Sequence, residues 1–237
     1  MLSRRTLAFA VSAVAAILTP VPAAEATPYG NFAQPVPGAT ITVPHNNSDT
    51  QSRCTLGPYV SIGDGRIGAL TAGHCGADGD EVDWNGRKVG MLYHPVYVKD
   101  ANGVTLRDFA VIIPTVSAPF NNPDIMASKP VASFYTTQEL SQLLAAGQPV
   151  NVCTYGATTG LRCGALTGSS TSTEKVIAHF PSDHGDSGGP VWIDTPTGTW
   201  VVGILTAVPN SDPSSSIVVP IEDPATTYQV KVTVHRA

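Results

Sequence analysis

His184-Gly185-Asp186-Ser187-Gly188-Gly189-Pro190 is the stretch on which the reading of this chain turns. Ser187 is flanked by residues of little bulk, so its hydroxyl stands clear of its neighbours. Gly185, two residues earlier, frees the backbone to aim its N–H groups at one point. Two donors converging beside a serine form the arrangement that stabilises an oxygen as it gains negative charge. The same composition also suits an ordinary surface turn. What separates the two readings is whether the rest of the chain supplies a base and an acid.

A serine hydroxyl is a poor nucleophile until a base takes its proton. His74 is the candidate, in Leu70-Thr71-Ala72-Gly73-His74-Cys75, where an apolar strand ends and a cysteine fixes the chain. No other histidine has comparable surroundings. Such a base is held in its working tautomer by a carboxylate. Asp108 heads the apolar run Phe109-Ala110-Val111-Ile112-Ile113, where an acid is costly to bury without a partner. Its rival, Asp100, lies in the polar loop Lys99-Asp100-Ala101-Asn102-Gly103, where an exposed acid is the ordinary finding.

Outward from these motifs the chain reads as β structure. Short β-prone runs at 60–62, 67–71, 82–84, 88–93 and 109–113 are followed by others at 150–155, 161–166, 175–180, 191–193, 200–208 and 217–219. Gly and Asp punctuate them. One segment has helical spacing: Thr137 as cap, then Leu140, Leu143, Leu144 and Ala145, stopped by Gly147. The expected architecture is all-β, with antiparallel units at 51–115 and 148–222. A Pro-rich crossover with the short helix joins them at 116–147, and a C-terminal extension at 223–237 packs on the domain. Periodicity alone leaves a β-sandwich as open as a pair of barrels.

The first 26 residues read as a secretory leader. Arg4 and Arg5 precede an apolar stretch at 7–21, and Ala24-Glu25-Ala26 places small residues where a signal peptidase reads them, with cleavage after Ala26. The pair of arginines also leaves the twin-arginine route open beside the general one. Residues 27–50 read as an irregular arm, with one short strand near 40–43. The whole chain has 237 residues, with 13 Lys and Arg against 18 Asp and Glu. This acidic balance offers nothing to a phosphate backbone or an anionic membrane. Beyond the leader, no apolar run is long enough to span a bilayer. The expected product is an extracellular monomer. Cys54, Cys75, Cys153 and Cys163 admit three disulfide pairings, and export favours their oxidation. Their spacing is too loose for a zinc cluster.

Taken together, Thr71–Cys75, Asp108-Phe109-Ala110 and Gly185–Pro190, in the order His, Asp, Ser, resemble the trypsin/chymotrypsin family of serine peptidases. Cys153-Thr154-Tyr155-Gly156-Ala157-Thr158-Thr159-Gly160-Leu161-Arg162-Cys163 resembles the disulfide-closed hairpin of secreted actinobacterial members. The resemblance covers roughly 54–222. It implies two antiparallel β-barrels with the active site between them, and the pairings Cys54–Cys75 and Cys153–Cys163. It further implies a triad of His74, Asp108 and Ser187, and an oxyanion hole from the N–H groups of Gly185 and Ser187. Thr206 corresponds to the residue whose hydroxyl supports the triad acid. Neither metal nor cofactor is called for, and the expected partners are protein or peptide substrates.

The resemblance also places a specificity pocket at Pro181, Asp183, His184, Ala207 and Val208. Pro181 stands where trypsin-like members carry an acid, and Val208 where many have glycine, which points to small apolar side chains. Two departures keep a second class open, an inactive or latent protease-fold module for binding or adhesion. One is the altered pocket. The other is that no Ile-Val-Gly-Gly start precedes Cys54 to pair with Asp186, unless Asp186 is satisfied internally.

Overall fold

The computed structural model describes residues 33–45, 49–63, 65–101, 103–115, 120–147, 149–170, 175–209 and 212–235. The expected leader and its cleavage point lie outside the described residues.

The first unit is an eight-stranded sheet. Its strands are β1 (Thr40–Pro44), β2 (Gln51–Thr55), β3 (Tyr59–Ser61), β4 (Ile67–Thr71), β5 (Glu81–Trp84), β6 (Arg87–Lys99) and β7 (Thr105–Pro114), with a C-terminal strand added at one edge. Backbone bonds from Gly57 N–H to Leu70 O and from Leu70 N–H to Pro58 O bring the end of β2 round onto β4, so the sheet curls on itself. The chain then runs through β8 (Val131–Phe134) and α1 (Thr137–Ala145) into the second unit. This contains β9 (Asn151–Gly156), β10 (Gly160–Ser170), β11 (Lys175–His179), β12 (Pro190–Thr195), β13 (Gly198–Ala207) and β14 (Ser216–Pro220). Strands β12-β9-β10-β11-β14-β13 pair in that order and β13 returns to β12, closing a six-stranded antiparallel barrel. After α2 (Glu222–Tyr228), β15 (Lys231–Val232) crosses back to pair with β3.

The alternation of buried apolar residues explains the layers. Ile41, Leu56, Leu92 and Ile112 fill the first unit, and Val152, Val176, Val191 and Val218 fill the second. A third cluster, with Leu70, Phe109, Trp192, Val201 and Ile204, cements the units to each other. Burying such side chains contributes about 1.5–3 kcal/mol each. The disulfides are Cys54–Cys75 and Cys153–Cys163.

Several local expectations are revised. The short strand expected near 40–43 is present as β1, which pairs with both β2 and β5 and so belongs to the sheet rather than to an irregular arm. Strand β6 continues past Tyr93 through Pro95 to Lys99, accommodating the break with a register shift and a positive φ of 44° at His94. The helix cap is Thr136, one residue earlier than expected, in a reciprocal capping box with Glu139. The crossover, where no strand was expected, contributes β8, which joins β13 in parallel. Helix α2 was hidden by Pro224, which is tolerated in a first turn. No helix among the described residues is long and apolar enough to cross a membrane.

Candidate active site

Each motif reaches the cleft between the units for a local reason. β4 pairs with β7 so that Thr71 lies opposite Ala110. The 3-10 turn after β4, Gly73–Cys75, therefore lands beside Asp108. A Cβ on Gly73 would lie 2.1 Å from the Val96 carbonyl, so only glycine lets this turn seat against β6. The Cys54–Cys75 bridge then ties the turn to β2.

His74 and Asp108 are held at two points. The His74 backbone N–H donates to Asp108 Oδ1 at 2.9 Å, and Nδ1 lies 2.6 Å from Oδ2. On the far side of the ring, Nε2 is 2.9 Å from Ser187 Oγ. Asp108 is wholly buried, whereas His74 is partly open to the cleft. The Tyr97 ring lies 5.5 Å from the imidazole between centroids, on the cleft side. Interaction with the Tyr97 side chain, whose ring centroid lies 5.0 Å from its Nζ, holds the neighbouring Lys99 ammonium above the ordinary lysine range. Asp100 is not part of this group; its carboxylate accepts Val104 N–H in a local turn.

The loop carrying Ser187 is anchored by Asp186, which is fully buried. Its Oδ1 accepts N–H bonds from Thr158 at 2.8 Å and Thr159 at 3.0 Å, and Oδ2 accepts one from Asp183 at 2.9 Å. Three backbone donors thus compensate the buried charge. Gly185 has a φ of +99°. Among the described residues, neither its N–H nor that of Ser187 has a protein acceptor, so both stay available beside the serine hydroxyl.

The cleft encloses about 750 Å³. It is lined by His74, Asp108 and Ser187 and by Asp183, His184, Thr206, Ala207 and Val208. Two of the expected residues are placed differently from the expectation. Thr206 donates its hydroxyl to the Ile217 carbonyl at 3.4 Å and does not support Asp108, because strand pairing of β13 with β14 puts that acceptor within reach. Pro181 is exposed and lines no part of the cleft. Phe180 is packed into the core, so the extended chain turns residue 181 outward and residue 182 inward. Ser182 takes the wall position, its Oγ 2.9 Å from Ser216 Oγ.

The sequence reading did not name Ser182, nor Ile177 and Ile217, the last two set opposite each other by the pairing of β11 with β14. It also missed Tyr97 and Lys99, although the β-prone run Val96-Tyr97-Val98 carried a signal for them. Asp183 sits at the exposed rim, its Oδ1 accepting His184 N–H at 2.7 Å. Cys54, His74 and Cys75 lie close enough for a metal site, but the two sulfurs are bonded to each other, leaving one donor.

No protein-family model matches the sequence, and no curated protein matches it. Solved structures do resemble it. A Nocardiopsis protease and Thermobifida fusca Protease A each align with a TM-score of 0.58, at 19% and 21% identity. Cellulomonas bogoriensis chymotrypsin aligns with a TM-score of 0.55 at 20% identity. Each alignment covers 84% of this chain and 98% of the other. At that identity the likeness is one of fold: the chain adopts the chymotrypsin-like fold seen in these actinobacterial proteases.

Proposed function

We propose that the chain is a secreted serine endopeptidase acting through Ser187, His74 and Asp108. The observation that carries this reading is the continuous line from Asp108 Oδ2 to His74 Nδ1 at 2.6 Å and from His74 Nε2 to Ser187 Oγ at 2.9 Å. Ser187 attacks a peptide carbonyl while His74 Nε2 takes its proton. The Gly185 and Ser187 N–H groups receive the oxyanion, which in such sites contributes some ~10²–10³ in rate per donor. The imidazolium, steadied by Asp108, then protonates the leaving amine, and water releases the acyl group by the reverse route.

The internal satisfaction of Asp186 supports an assembled site, because no inserted N-terminus is needed to hold the loop. Two disulfides suit an extracellular setting. The preferred side chain on the acyl side of the cleaved bond is small and apolar. Ile177, Ile217, Ala207 and Val208 line that end of the cleft, and among the described residues no buried carboxylate waits there for a cation.

The test is labelling of the purified protein with a fluorophosphonate probe, beside Ser187→Ala. Covalent labelling lost in the variant is expected; a folded, disulfide-intact protein that takes no label would overturn the proposal.

A further inference from the structure

We infer that Thr158 and Thr55 are positioning residues for the oxyanion hole, each locking one of the two peptide planes that flank Gly185. The inference rests on the serine-peptidase reading above.

Glycine at φ +99° leaves these planes free to rotate at little cost. Were the 184–185 peptide to flip, it would turn a carbonyl into the hole where a donor is needed. Carbonyl and N–H point in opposite directions across a trans peptide. Whatever grips the His184 carbonyl therefore sets the direction of Gly185 N–H. Thr158 Oγ1 grips it, at 2.6 Å. On the other side of the glycine, Thr55 Oγ1 holds the Gly185 carbonyl at 2.7 Å. The Thr55 backbone N–H adds a bond to the Ser187 carbonyl at 2.8 Å.

The direction of each hydroxyl proton is dictated by its other partner. Thr158 Oγ1 accepts from Arg53 Nη1 at 3.1 Å, and a guanidinium has no acceptor to offer. Its single hydrogen is thus committed to the His184 carbonyl. Thr55 Oγ1 accepts Ala157 N–H at 2.9 Å, so its hydrogen is committed to the Gly185 carbonyl. Arg53 Nη2 also donates to the Ala157 carbonyl at 2.6 Å, holding the hairpin apex that carries Thr158. The two clamps come from different parts of the fold. Thr55 ends β2 in the first unit, and Thr158 sits in the turn between β9 and β10 of the second.

The test compares Thr158→Val, which keeps shape but loses the hydroxyl, with Thr158→Ser, which keeps the donor. Turnover is read on a peptide p-nitroanilide, with the low-field Nδ1 proton resonance of His74 as a monitor of the triad. Thr158→Val should lose about 10–100-fold in kcat, less than or equal to deletion of a hole donor. Its KM should stay within about twofold and the His74 resonance in place, and Thr158→Ser should recover most of the rate. A folded Thr158→Val protein with wild-type kcat overturns the inference while the peptidase reading stands. If the unaltered protein takes no fluorophosphonate, the reading itself fails and the inference with it. Should Thr158→Val not fold, Arg53→Met at its exposed position carries the same question. A severalfold fall in kcat supports the clamp, and an unchanged kcat overturns it.

Discussion

Gly188 and Thr71 meet with no room for a side chain between them: a Cβ on Gly188 would lie 2.2 Å from Thr71 Oγ1 and 2.5 Å from the Thr55 carbonyl. This is where the loop of the second unit docks on the first, one residue after Ser187. Gly188 also has a φ of +88°, which side chains rarely adopt.

Gly188→Ala should therefore combine overpacking with backbone strain, at about 2–4 kcal/mol of stability. A shift of the urea midpoint at unchanged slope measures the loss. Fluorophosphonate labelling should slow as well, since the displaced loop carries the nucleophile. A variant with the parent midpoint would mean that the units separate at this seam at no cost.

Asp108 and Asp100 were the two acids the sequence offered. Asp108→Asn leaves the shape of the site but reverses the hydrogen-bonding demand on His74 Nδ1, and a fall in kcat of about 10⁴ is expected. Asp100→Asn, in a turn where an amide oxygen still accepts Val104 N–H, should keep nearly full activity. Steady-state assays of the two purified variants decide between them; equal losses would assign the acid wrongly.

The parts of this molecule legible in the sequence are those governed by local backbone chemistry. Gly73 and Gly188 are forced by close approach, and they bracket His74 and Ser187 with glycine motifs that stand out by composition. Strands β4 and β7 were readable because their apolar runs are nearly continuous. The illegible parts depend on contacts distant in sequence. Thr55 and Thr158 are ordinary residues until the fold sets them on either side of Gly185, Thr55 130 positions from Gly185 and Thr158 26 positions from the His184 whose carbonyl it grips. Ser182 was missed because its inward turn follows from Phe180 being packed in the core. Thr206 was expected to support the triad acid, but its hydroxyl is bonded to the Ile217 carbonyl, an acceptor that only the pairing of β13 with β14 brings to it.

The Cys153–Cys163 bridge closes the hairpin whose apex carries Thr158 and Thr159. Replacing both cysteines with alanine should cost about 2–3 kcal/mol through the entropy of a loop this short. It should also lower kcat beyond what unfolding explains, since the apex supplies two of the three N–H groups on Asp186. Activity measured well below the melting temperature separates the effects. An unchanged kcat there would confine the bridge to stability.

Tyr228 donates its hydroxyl to the His94 carbonyl at 2.6 Å, and burial pushes its pKa well above the ordinary 10.0. Burial raises Tyr59 in the same direction. A folded-state pKa raised above the unfolded one means that the folded chain keeps its proton while the unfolded chain loses it. The stabilisation is complete below pH 10 and declines as pH rises above that value. Thermal unfolding followed from pH 8 to 11 should fall steeply past pH 10 for the parent and less steeply for Tyr228→Phe. Parallel curves would remove Tyr228 from this dependence.

Val208 stands at the exposed rim of the cleft, following Ala207 at the end of β13. Its branched side chain narrows the entrance, whereas the wall beyond it is built from Ile177 and Ile217. Val208→Gly removes the branch at a position outside the strand, where the added backbone freedom costs little. The expected outcome is a change in preference from small apolar residues towards Leu and Phe, with kcat/KM for the larger residues rising about tenfold. Opening a hydrophobic pocket by a few methyl groups is worth roughly 1–3 kcal/mol of discrimination. Profiling both proteins on one mixed peptide library reads this directly. If the parent already favours Leu and Phe, Val208 does not restrict the entrance. If it favours Arg and Lys, the small-residue assignment is overturned.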